Sequence, residues 1–137
     1  MCRGTAMRVV TFLLLTSLLG IAGCQKTEQV KKVSFTLQQN EKPFANEEIA
    51  IVPIEGDKVL TSDEKRVGLG KTDSQGRATI EFSSPAQYKE YVLVWRTSGT
   101  YMMLRHQDQA LTFKCDAPAC DLGKVVFEVF EFSGGSR

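Results

Sequence analysis

One histidine, a pair of closely spaced thiols and a loop of carboxylates are the groups best equipped for chemistry in this chain of 137 residues. His106, the only histidine, stands in Arg105-His106-Gln107-Asp108. Nucleophilic catalysis through it would need a serine on a strained turn, and no Gly-x-Ser-x-Gly occurs. His106 therefore reads as an exposed loop residue between two strands. Asp57, Asp63 and Glu64 crowd one segment without the D-x-[DN]-x-[DN]-G register of a calcium loop, so they read as solvated turn carboxylates. Gly68-Leu69-Gly70 lacks the following helix that a phosphate-cradling turn requires; within a strand it marks a bulge or a close backbone approach. Cys115 and Cys120 enclose four residues where a thioredoxin-like redox pair encloses two, and a single histidine cannot complete a thiolate–histidine metal set. The expectation is a chain with no catalytic residues, no metal and no cofactor.

The amino end carries an address. Arg3 and Arg8 precede an apolar run from Val9 to Ala22, broken only by Thr11, Thr16, Ser17 and Gly20, and the first acidic residue is Glu28. These are the parts of an export signal, with either Met1 or Met7 as its start. At about 14 residues the run is short of the roughly 20 that span a bilayer as a helix. It ends in Leu19-Gly20-Ile21-Ala22-Gly23-Cys24, which resembles the lipobox of bacterial lipoproteins, with Ile21 where leucine is commonest. That resemblance implies cleavage before Cys24, thioether-linked diacylglycerol on its sulfur and usually a third acyl chain on its amine. Several chains, each gaining about 0.8 kcal/mol per buried methylene, make release from the membrane negligible. Gln25 in place of Asp after the cysteine implies the outer membrane, with the folded part facing the periplasm. An ordinary secretory signal ending near Ala22 is the competing reading.

A 23-residue signal taken from 137 leaves 114, the size of one small domain. Both Arg3 and Arg8 leave with it, so 17 basic residues become 15 against 16 acidic ones. Near-neutral charge with no long basic run argues against nucleic acid as a partner. Membrane contact falls to the lipid on Cys24. Cys2 is lost with the signal, and the remaining pair, Cys115 and Cys120, in an exported domain most simply forms one disulfide. Its short loop, with Pro118 favouring a turn, would stabilise by about 2 kcal/mol on the chain-entropy argument.

The elements that must position these groups follow from period two. Residues 1–23 are the signal, 24–32 the lipidated cysteine and a polar tether about 15 Å long, and 33–137 the folded domain. Val33, Phe35 and Leu37 alternate with polar neighbours, as do Ala78, Ile80 and Phe82, then Tyr91, Leu93 and Trp95, then Leu111, Phe113 and Cys115, then Val125, Phe127 and Val129. Ile49 to Ile54 is continuously apolar and predicts a strand covered on both faces. Weaker strands are expected at 67–72 and 101–105. Asp73-Ser74-Gln75-Gly76 suits a type I turn, Ser98-Gly99 a hairpin, and Glu55 to Lys65 an excursion with one helical turn capped by Ser62. Short strands separated by turns, with no long amphipathic helix, predict an all-β, antiparallel sandwich of seven to eight strands.

Lys42-Pro43-Phe44-Ala45-Asn46-Glu47-Glu48-Ile49 followed by Thr72-Asp73-Ser74-Gln75-Gly76 resembles the carboxypeptidase-regulatory-like and transthyretin-like sandwich domains. Glu41 stands where that family places glycine, and Ser84 to Tyr88 lacks the usual glycine before the next strand. The resemblance spans some seventy residues and implies a fold more than a function, because such domains serve as interaction modules, stalks and appendages. What remains is surface. Tyr88, Tyr91, Trp95 and Tyr101, flanked by Arg96 and Arg105, concentrate large side chains around the Ser98-Gly99 turn as a possible binding patch, although core packing claims most of them. Phe130-Glu131-Phe132 can end an edge strand open to pairing. The expected function is a lipid-anchored, non-catalytic module contacting another envelope protein. The alternative is a lipoprotein binding a small ligand or inhibiting an enzyme.

Overall fold

The computed structural model describes residues 28–132, with side chains as far as Glu128. The signal segment, Cys24 and the start of the tether lie outside the described residues. The chain is all-β, and the eight principal strands form one open sheet in the order β11-β1-β6-β5-β3-β7-β8-β12. They are β1 (Glu28–Gln39), β3 (Glu48–Glu55), β5 (Gly68–Lys71), β6 (Arg77–Pro85), β7 (Tyr91–Thr97), β8 (Thr100–His106), β11 (Ala119–Phe127) and β12 (Val129–Phe132). Four two-residue strands attach at the sides: β2 (Lys42–Pro43), β4 (Lys58–Val59), β9 (Gln109–Ala110) and β10 (Thr112–Phe113). Neighbours pair antiparallel with one exception, β1 beside β11, which run parallel from Lys32↔Ala119 to Gln39↔Phe127.

Alternation explains how the sheet closes. Inward residues Val33, Phe35 and Leu37 of β1, Ile80 and Phe82 of β6, Ile49 and Ile51 of β3, Tyr91 and Leu93 of β7 and Phe127 of β11 share a single core. Strands far apart along the sheet thus face one another, and the sheet curls into two leaves, β11-β1-β6 over β5-β3-β7-β8-β12. The fold lies between β5 and β6, joined at one ladder position, Gly68↔Phe82. Glycine is required there: a Cβ on Gly68 would stand 2.8 Å from the Cβ of Phe82, and one on Gly70 2.6 Å from Ile80 Cγ1. The close backbone approach expected of Gly68-Leu69-Gly70 is what the structure has.

The apolar stretch in β3 is covered on both faces. Its outward residues Ala50 and Val52 meet Val92 and Val94 of β7 and Tyr101 and Met103 of β8 in a second cluster, with Val59 from the 55–67 excursion packed on it. Within that excursion Lys65 N donates to Ser62 Oγ at 3.1 Å and Arg66 N to Ser62 O at 2.9 Å, which is the single capped turn expected.

Three expectations need correction. β1 begins at Glu28, so residues 28–32 are strand and not tether; they pair with Ser83–Pro85, Phe82 and Glu81. Backbone pairing and the burial of Lys31 hold them, and neither leaves an apolar alternation to read. The strand expected through Val125–Phe130 is two strands divided at Glu128, where the chain crosses from one leaf to the other: Phe127 O accepts from Asn40 N at 2.8 Å, and Glu128 N donates to Arg105 O at 2.9 Å. β11 itself starts at Ala119. Its core-packed residues, Cys120, Leu122, Val125 and Phe127, skip a step at Gly123. Leu122 and Gly123 oppose the single residue Phe35 in a bulge, with Gly123 at φ +70°.

Candidate functional site

The loop pair that carries the sequence resemblance is built around Thr72, a buried residue only 2 % exposed. Thr72 Oγ1 donates to Phe44 O at 2.7 Å and accepts from Glu47 N at 2.9 Å. Asn46 N donates to Asp73 O at 3.2 Å, so 44–47 and 72–76 are docked on each other. Asp73 Oδ1 accepts from Gln75 N at 2.8 Å and Arg77 N at 2.9 Å, and those amides, Arg77 first, hold its carboxyl below the usual range. Gly76, at φ +80°, closes the turn where any Cβ would collide with the Leu37 carbonyl oxygen. These residues are structural.

The residues expected to form a binding patch are divided between two faces. Tyr91 is buried in the inner core with its hydroxyl 3.0 Å from Ser84 Oγ, and Tyr88 packs against the same core. Trp95 also turns inward: its ring meets Phe44 edge-to-face at 5.4 Å and its Nε1 donates to Glu47 Oε1 at 3.0 Å. Tyr101 and Arg96 lie on the opposite face, directly cross-strand. Arg105 is not opposite Arg96; it pairs with Ala110 and Val129 and donates to Asp108 O at 3.0 Å. Strand alternation is the reason, because Tyr91 and Trp95 share one parity on β7 while Arg96 has the other.

On the outer face a polar hub forms that was not foreseen. Asp63 Oδ1 accepts from Tyr101 Oη at 2.5 Å, from Arg66 at 2.9 Å and from Arg96 Nε at 3.4 Å. Arg96 also pairs with Glu48 at 2.9 Å, and its guanidinium lies 5.9 Å from the centre of the Tyr101 ring. The Tyr101 hydroxyl, and after it Arg96, lowers the Asp63 pKa. Asp63 is therefore the clasp that fastens the 55–67 excursion over the second apolar cluster. The only signal in sequence was an acidic residue three positions before Arg66.

His106 lies 2.6 Å through Nδ1 from Glu128 Oε2, an ion-pair contact when the ring is protonated and not an aligned hydrogen bond. Glu128 Oε1 accepts from Gln107 N at 3.0 Å, and that amide, ahead of His106, lowers the carboxyl's pKa. His106 also stands at an apolar groove of about 400 Å³ between the leaves, floored by Leu93, Leu111, Phe113, Leu122 and Val125. Among the described residues no serine, threonine or cysteine bonds His106, and the pair joins the β8–β9 turn to the leaf crossover. Cys115 and Cys120 are joined as a disulfide, with Cα atoms 5.9 Å apart. Among the described residues no group of three or more His, Cys, Asp or Glu side chains converges as a metal would need.

The two ends of the sheet differ. β11 carries the bulge at Gly123 and a lysine beside it, Lys124, both of which blunt an edge. β12 pairs with β8 in unbroken register from Val129↔Arg105 to Phe132↔Met102 and ends the strand order.

No family model matches the chain, and no curated protein does. Among solved structures it is similar to the crystal structure of a 9R-lipoxygenase from Cyanothece PCC8801, at 19 % identity and a TM-score of 0.49. That match covers 72 % of this chain but only 16 % of the lipoxygenase chain.

Proposed function

We propose that this chain is a lipid-anchored protein of the bacterial envelope, held to the periplasmic leaflet of the outer membrane by acyl chains on Cys24, whose sandwich works by non-catalytic contact with another envelope protein. The observation that carries the contact reading is the asymmetry of the sheet ends. β11 is guarded by a bulge and a lysine, whereas β12, Val129-Phe130-Glu131-Phe132, has neither proline, bulge nor lysine. A strand from a partner can extend the sheet there through backbone hydrogen bonds. A photo-cross-linking residue in place of Glu131, activated in intact cells, should give one discrete adduct with a second protein. Recovery of monomer alone would overturn the contact reading.

A second reading, capture of a small apolar ligand, is favoured by the groove floored by Leu93, Leu111 and Phe113. Filling it with Leu122→Trp would abolish ligand capture and leave the β12 adduct intact, which separates the two.

A further inference from the structure

Lys31 occupies a position where the strand pattern calls for an apolar residue. It lies two places before Val33 on the inward face of β1 and is 9 % exposed, opposite Phe82. Its Nζ donates to Cys115 O at 2.6 Å, its one hydrogen bond among the described residues, and no carboxylate pairs with it there. An ammonium has three N–H donors, so two are left for something else. Burying a charge with so little compensation is costly unless an opposite charge completes the site.

The surroundings supply the rest of such a site. Lys31 lines a cleft of about 290 Å³ together with Lys89, Tyr88, Ser84, Tyr91 and Asp116. Lys89 makes no ion pair among the described residues, and neither does Asp116. The Ser84 and Tyr91 hydroxyls lie 3.0 Å apart, and whichever donates, the other keeps a proton to offer. Two ammonium groups and a spare hydroxyl against one carboxylate make the cleft rich in donors. A tetrahedral phosphate, with several acceptor oxygens, matches donors converging from different sides better than a planar carboxylate does.

We propose that this cleft binds a phosphate group, with Lys31 as the buried anchor and Lys89 at the rim. The cleft includes Gln29 and so lies at the end of the sandwich where β1 begins, four positions after Cys24. At about 3.5 Å per extended residue, those four positions reach no more than about 14 Å. A phosphate of a lipid headgroup is therefore one source and free phosphate the other. The location beside a bilayer rests on the proposed anchor; the phosphate chemistry does not, and β12 plays no part in it.

The test uses the mature lipidated chain in neutral detergent, titrated calorimetrically with inorganic phosphate and with sn-glycerol 3-phosphate. Saturable binding that weakens with added salt is expected. Tighter binding of glycerol phosphate assigns the cleft to headgroups, and equal binding assigns it to free phosphate. Lys31→Met should reduce affinity at least about tenfold while preserving the melting temperature, since methionine fills the same apolar space. Lys89→Gln, at the rim, should weaken binding severalfold and decides the matter if Lys31→Met does not fold. Absence of saturable binding by the unaltered chain, or unchanged affinity in the folded variants, overturns the proposal.

Discussion

Thr72 shows how one hydroxyl can organise two loops. It serves as donor to Phe44 O and acceptor from Glu47 N in a setting closed to water. Thr72→Val keeps the shape but strands both backbone partners, which costs about 1–3 kcal/mol on the desolvation argument. Urea denaturation should show that loss, and an unchanged midpoint would mean that water reaches the loop. Asp63 makes a prediction of different form. Its carboxyl is held below its ordinary pKa by Tyr101 and Arg96, so its stabilising share is fully present above about pH 4, the unfolded value, and fades as pH falls through the lowered one. Asp63→Asn should therefore be less stable than the parent at pH 7, with a flatter acid limb in melting temperature against pH. Parallel curves would show that the clasp contributes nothing. Neither role was evident in advance: Asp63 reads as a loop acid because its partners, Arg96 and Tyr101, are brought to it only by the folding of the sheet.

At the level of elements, the strands visible in the sequence are those with one buried face and even alternation, such as Arg77–Pro85 and the Val33–Leu37 part of β1. The first half of β11 was hidden because its inward residues change phase at Gly123, and a rule of strict period two stops there. The start of β1 was hidden for another reason: Glu28 to Lys32 are polar, and their order comes from backbone pairing with β6 and from Lys31 bonding Cys115 O. Core packing takes Tyr88, Tyr91 and Trp95, while parity sends Arg96 to the other face, since neighbours on a strand point to opposite faces. The disulfide loop locks the entry to β11, where Lys32 N also donates to Pro118 O at 2.9 Å. The Cys115→Ser/Cys120→Ser variant should lose about 2 kcal/mol in denaturant titration, and reductant should bring the parent to the same value. If reductant leaves the parent unaffected, the loop is held by its hydrogen bonds alone.

For the molecule as a whole, the sheet's two ends and the proposed lipid anchor define how it can be used. If Cys24 carries the acyl chains, Cys24→Ser should move the protein from the membrane pellet to the soluble fraction without changing its far-ultraviolet spectrum. Continued membrane association would place the anchor elsewhere. Fold class was legible because an all-β pattern needs only local alternation and turns. The order of strands was not, because it depends on contacts between remote segments. The parallel partnership of β1 with β11 has a temporal consequence. A polypeptide that crosses a membrane amino end first delivers β1 well before its neighbour β11. Until that late arrival, one flank of β1 stays open and the inner core lacks Phe127. Such a chain waits, part-assembled and in need of protection from strangers, for the strand that closes it.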